Sequence, residues 1–138
     1  MSIIAEKLIK EAERSMRRAV APYSKFKVGV ALATKKGKIY TGCNIENPSL
    51  TLNLCAEKVA LLKALSEGER SFKAIAIVSN SHEYCYPCGS CRQVLWEFAK
   101  DVAIFLYSKK SIKKYSLFEL LPHAFTPVKK GNKTIDKS

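Results

Sequence analysis

Apolar positions recur along the chain with two different periods, and each period predicts its own kind of element. Ile4, Leu8, Ala12 and Met16 form one stripe at helical spacing, which predicts a helix from Ser2 to about Val20. Ala21-Pro22-Tyr23-Ser24 ends it, because the residue before a proline avoids helical geometry. Phe26, Val28, Val30 and Leu32 then alternate as in a half-buried strand. Lys35-Lys36-Gly37-Lys38 turns the chain into a second strand around Ile39-Tyr40-Thr41.

Cys55 to Leu65 reads as a buried helix with Cys55, Val59 and Leu62 on one face, closed by Ser66-Glu67-Gly68. Ala74 to Val78 is a short apolar run suited to a central strand. Arg92 to Lys100 reads as a helix that turns Cys91, Leu95 and Phe98 inward, and Val102 to Tyr107 as a further strand. Ser116-Leu117-Phe118-Glu119 is a capping box that opens a short helix, which Pro122 stops. The resulting order is helix, two strands, helix, strand, helix, strand, helix. A hairpin followed by strands alternating with helices predicts an α/β fold, a mixed β-sheet sandwiched between helices.

Composition narrows the class. A length of 138 residues suits one domain, and 47% hydrophobic residues suffice for a core. We divide the chain into a domain over 1–127 and a basic tail over 128–138. No apolar run approaches the ~18–20 residues of a membrane span, and the first residues reach Glu6 and Lys7 at once. A cytoplasmic protein without a membrane partner is expected. Five cysteines in such a compartment point to metal or redox chemistry and not to a disulfide framework. The net charge of +12 suits a nucleic-acid binder in principle. Its lysines are scattered in ones and twos, however, so a solvated basic surface is the simpler reading.

The chemistry concentrates in Cys85-Tyr86-Pro87-Cys88-Gly89-Ser90-Cys91, where two Cys-x-x-Cys pairs overlap. Cys88 with Cys91 makes the better metal pair: Gly89 permits a tight turn, and Cys91 falls where a helix begins and free N–H groups favour thiolates. Pro87 makes Cys85 a poorer partner. One such pair by itself also fits a redox couple or buried thiols. Cys55-Ala56-Glu57 at a helix start adds a third thiol and a carboxylate that address one cavity only if it lies over the helix N-terminus. Three cysteine ligands leave one position of a tetrahedral zinc for water, with Glu57 in reach of it as a proton carrier.

With these residues in place, the chain resembles the small, homotetrameric cytidine deaminases. The resemblance rests on Ala21-Pro22-Tyr23-Ser24-Lys25-Phe26-Lys27-Val28-Gly29, Gly42-Cys43-Asn44-Ile45-Glu46-Asn47 and Cys55-Ala56-Glu57. It continues through Ser66-Glu67-Gly68, Pro87-Cys88-Gly89-Ser90-Cys91-Arg92-Gln93-Val94 and Glu119-Leu120-Leu121-Pro122-His123-Ala124-Phe125, all in the family's order. It implies one zinc per subunit on Cys55, Cys88 and Cys91, with Glu57 as the proton shuttle in hydrolysis of cytidine and deoxycytidine. It also implies sugar contacts from Asn44 and Glu46, aromatic contacts from Phe26 and from a neighbouring subunit's copy of Phe125, and a homotetramer serving pyrimidine salvage. The simpler readings are a strand-core Phe26, a helix-end Phe125, loop polars at Asn44 and Glu46, and an acidic first-turn residue at Glu57. Cys43, Cys85, His82 and His123 match no ligand position. Two departures stand out: Lys58 where the family usually has arginine, and no tyrosine between Pro48 and Leu54. Rival functions are an editing deaminase acting on nucleic acid, a deaminase for a cytosine-nucleoside antibiotic, and a non-catalytic zinc module closed by Cys85.

Overall fold

A computed structural model describes residues 3–127; the tail assigned to 128–138 lies outside the described residues. The apolar stripe near the N-terminus forms helix α1 (Ile3–Met16), one turn shorter than its periodicity predicts. The reason lies in tertiary pairing. Val20 donates to the Asn44 carbonyl and accepts from the Glu46 amide, which draws this stretch out of the helix and into a bridge with Ile45.

Strands β1 (Val28–Thr34) and β2 (Ile39–Cys43) form the expected hairpin, turned through Gly37 at φ +94°. A short 3₁₀ turn (Leu50–Leu52) precedes α2 (Ala56–Ser66), which ends before Gly68 at φ +93°. Then follow β3 (Phe72–Ser79), α3 (Gly89–Phe98), β4 (Ala103–Ser108), β5 (Ser111–Ser116) and α4 (Leu117–Leu120). The sheet order is β2-β1-β3-β4-β5, and the β3–β4 pair alone is parallel, joined by a crossover through α3.

Helix α1 covers one face of the sheet, where Ala5, Leu8, Ile9 and Ala12 meet Ala31, Ala33, Ala76 and Val78. Residues of α2, α3 and α4 cover the other, over Val30, Leu32, Ile75, Ile77, Ile104 and Leu106. The predicted α/β sandwich is therefore observed. Coverage of both faces corrects the expectation of a half-buried first strand: all seven residues of β1 are buried. Phe26 precedes that strand.

Three further expectations change. The sequence predicts no strand at Ser111–Ser116, yet β5 pairs along its length with β4. Helix α3 starts three residues before Arg92, with Cys88 and not Cys91 at its mouth. The inward face of α2 is Ala56, Glu57, Ala60, Leu61 and Ala64, while Leu62 is exposed, as is Phe98 of α3. Small residues face inward on α2 because it lies very close to β2. A Cβ on Gly42 would come within 2.4 Å of the Ala56 carbonyl oxygen and 2.6 Å of the Ala60 nitrogen.

Candidate active site

Two helix N-termini converge where the overlapping cysteines lie. Cys55 is the N-cap residue of α2 and Cys88 that of α3, both in extended backbone. Cys91, buried one turn into α3, donates its backbone N–H to Cys88 Sγ at 3.5 Å. The Cys55 and Cys88 sulfurs stand 3.9 Å apart, and all three sulfurs lie within 4.8 Å of one another. Zn–S bonds of about 2.3 Å in a tetrahedron require S···S separations of about 3.8 Å. The donor set therefore fits zinc in both spacing and softness, and the positive ends of two helices favour thiolates on it.

Electrostatics within the cluster show how it would load. Hydrogen bonding from Cys91, then from Cys88, and the Lys58 charge hold the Cys55 thiol down at about 6. The Cys91 thiol is pushed up by donating to Cys55 and by burial. A thiol that stays protonated at neutral pH must lose its proton to bind metal, so zinc uptake releases protons. Apparent zinc affinity should therefore climb by about tenfold or more per pH unit between pH 6 and 8. Competition against a chelator at each pH measures this, and a flat profile would contradict it. Burial pushes the Cys85 thiol up to about 12, and Cys85 is not one of the three clustered sulfurs. A fourth thiolate closing the site is thus disfavoured, which leaves a coordination position for water.

Glu57 lies two residues after Cys55 and is only 5% exposed. Burial pushes its carboxyl up to about 7, and the neighbouring Cys55 charge adds to the rise, while hydrogen bonds from its own backbone and from Cys91 oppose it. A buried carboxyl beside the thiol cluster, held near neutrality, suits proton transfer in both directions.

A cavity of about 230 Å³ is lined by Cys55, Glu57 and Cys88 together with Phe26, Asn44 and Glu46. Asn44 Oδ1 accepts from the Val28 amide and Nδ2 donates to the Phe26 carbonyl, each at 2.8 Å. Glu46 Oε1 accepts from the amides of Tyr23 at 3.0 Å and Ser24 at 3.2 Å, and Oε2 accepts from the Ser24 hydroxyl. The Ser24 hydroxyl, above all, holds the Glu46 carboxyl below its usual range.

Phe125 is not in this cavity. Its backbone is clamped by the Gln93 side-chain amide through two hydrogen bonds, and the residue is 71% exposed. Asn53, Leu54 and Tyr86, which the sequence does not single out for the site, also line the cavity, as does Cys85. Tyr86 was findable, since it sits between Cys85 and Pro87 in the ligand-bearing loop. Asn53 and Leu54 enter through a bridge between Leu54 and Ile45 and a 2.6 Å bond from the Asn47 amide to Asn53 Oδ1, which no local pattern signals. Lys58 reaches across to α3 and donates to Ser90 Oγ at 2.6 Å. His82 lies on a separate surface cavity beside Ser108 and Lys109.

Comparison with known proteins agrees with this geometry. Residues 2–107 match the family model described as the cytidine and deoxycytidylate deaminase zinc-binding region. A cytidine deaminase of Sporosarcina psychrophila is 46% identical over 123 residues, covering 88% of this chain and 90% of that one. A probable cytidine deaminase of Dictyostelium discoideum is 43% identical over 122 residues, covering 88% and 83%. The crystal structure of a cytidine deaminase from Burkholderia pseudomallei superposes with a TM-score of 0.85 at 43% identity, over 91% of this chain and 100% of that one. With a zinc-shaped trio of thiols beneath a buried carboxylate, and relatives that match over most of their length, the chain belongs to the cytidine and deoxycytidylate deaminase zinc-binding family.

Proposed function

We propose that this protein hydrolyses cytidine and deoxycytidine to uridine and deoxyuridine with release of ammonia. The observation that carries this reading is the placement of Glu57, buried beside three clustered thiols and under one cavity. Cys55, Cys88 and Cys91 would hold a zinc ion, which would supply a water activated toward a pKa of about 7. Glu57 accepts one proton of the attacking water and passes it to the ring nitrogen as C4 is attacked; it then takes the proton of the new C4 hydroxyl and gives it to the departing amino group. Water adds and ammonia leaves, so the proton count closes with Glu57 restored. Asn44 and Glu46 hold the sugar, and Phe26 packs on the pyrimidine.

The test is the ultraviolet absorbance change on mixing zinc-loaded protein with cytidine. Steady turnover is expected, and none from well-folded, zinc-replete protein would overturn the reading.

Completion of the site by another copy belongs to the same proposal. We place Phe125 of one subunit over the cavity of a neighbour within a homotetramer. The clamp by Gln93 presents its ring outward, and exposed Leu62 and Phe98 on α2 and α3 offer apolar surface for such an assembly. Among the described residues no helix is long and apolar enough to cross a membrane. A cytoplasmic place in pyrimidine salvage follows from the proposed substrate.

Lys58 stands where the family's arginine usually does, and its ammonium is committed to Ser90 Oγ. A single point charge cannot fork across two sulfurs as a guanidinium does. It still lowers the Cys55 thiol and ties the first turn of α2 to that of α3. Turnover of Lys58→Ala should fall by about tenfold; steady-state kinetics with cytidine check this, and unchanged turnover would remove Lys58 from the reaction.

A further inference from the structure

Phe26 and Glu46 come from separate segments, yet one hydroxyl touches both. Ser24 Oγ donates to Glu46 Oε2 and accepts the Phe26 amide N–H at 3.0 Å. The other carboxylate oxygen already accepts two backbone N–H groups, from Tyr23 and Ser24. A carboxylate offers about four lone-pair directions, so three are taken and one remains, on Oε2. Asn44 is similarly committed, with one bond from its oxygen and one from its nitrogen directed to the backbone of Val28 and Phe26.

We propose that Ser24 is a positioning residue of the substrate site: its hydroxyl orients the Glu46 carboxylate so that one acceptor direction is left for one sugar hydroxyl, and through the same oxygen it seats Phe26 in that wall. This rests on the reading of Glu46 and Phe26 as substrate contacts and deepens it. A serine that merely closed the turn would need its bond to the Phe26 amide and nothing more. Its bond to Glu46 is the part that a purely local role leaves without purpose. The loop has a second support besides Ser24. Lys25 sits in the left-handed region at φ 60°, and Asn80 holds that segment from the opposite side, donating to the Lys25 carbonyl at 2.9 Å and accepting from the Lys27 amide at 3.0 Å. Loss of the hydroxyl therefore leaves Oε2 without its orienting partner while Oε1 stays held by the two backbone N–H groups, and the solvent-exposed position of Ser24 accommodates alanine.

The experiment is steady-state kinetics of the zinc-loaded protein on cytidine, 2′-deoxycytidine and 3′-deoxycytidine, for wild type, Ser24→Ala, Ser24→Thr and Glu46→Gln. For Ser24→Ala we expect KM for cytidine to rise about tenfold with kcat within about twofold, because a contact made equally in ground and transition states is weakened. The penalty that wild type imposes on whichever deoxy analogue it discriminates against should shrink in the same variant. Ser24→Thr, which keeps the hydroxyl, should restore both. A uniform rise in KM across the three nucleosides, or a loss confined to kcat, would overturn the inference. If Glu46→Gln abolishes the discrimination while Ser24→Ala retains it, the positioning role fails and the reading of Glu46 stands. If Glu46→Gln leaves the discrimination intact, or wild type turns over none of the three, both fail together.

Discussion

Glu57→Gln should lower cytidine turnover by about 10³- to 10⁴-fold while the protein keeps its zinc. Glutamine preserves the shape and fills the same buried space, but its amide neither accepts the water's proton nor returns one to the departing amino group. The metal ligands are untouched, so metal content by elemental analysis should match wild type. Stability should hold or rise, because burial already disfavours the charged carboxylate at this position. Turnover within tenfold of wild type would place the proton shuttle elsewhere. Loss of zinc together with activity would mean that Glu57 serves the metal site structurally.

The second large effect is expected at a residue with no functional group. Gly42→Ala should lower the thermal midpoint by roughly 10–15 °C, corresponding to about 3 kcal/mol of strain, and should weaken zinc binding as well. The added carbon would meet backbone atoms of Ala56 and Ala60, within 2.4 and 2.6 Å. Neither can swing aside as a flexible side chain does, so α2 must shift. That shift moves Cys55 and Glu57 relative to Cys88 and Cys91 on α3. Gly29→Ala is the matched control, since its carbon would meet the Ala12 carbonyl oxygen at 2.0 Å on the opposite face of the sheet, under α1. Gly29→Ala should destabilise the fold comparably, with zinc affinity of the remaining folded protein closer to wild type. Calorimetry and chelator competition on both variants read the difference. Equal loss of metal affinity in the two would show that α2 is not specifically what Gly42 positions.

Much of this site is legible in the sequence because its chemistry sits in short, contiguous motifs. Cys55 and Glu57 share one helix start and Cys88 and Cys91 another, so spacing alone brings each pair together; only the meeting of the two pairs requires the fold. Elements are readable where burial imposes a period, as in α1, or where a glycine turn marks the chain reversal, as in the β1–β2 hairpin. They are not where other forces decide. The inward face of α2 was misjudged because large apolar residues usually mark the core, whereas close approach to Gly42 selects alanines and leaves Leu62 outside. Helix α3 starts earlier than its apolar spacing predicts because Gly89 and Ser90 read as loop residues, although Cys88 caps the helix. The split duties of Asn44 and Glu46, each bound to a backbone segment about twenty residues away, carry no local signal at all.

Strand β5 escaped the sequence reading because Ser-Ile-Lys-Lys-Tyr-Ser shows none of the alternation that a buried face would impose. As the outermost strand beside β4, it has one row of backbone donors and acceptors facing away from the sheet. Lys113 and Lys114 point to opposite faces there, over the rings of Tyr84 and Phe105. Charged side chains on both faces of an outermost strand make it a poor template for a further strand. Part of the surplus positive charge that invites thoughts of nucleic acid thus lies over aromatic rings of this protein's own sheet margin.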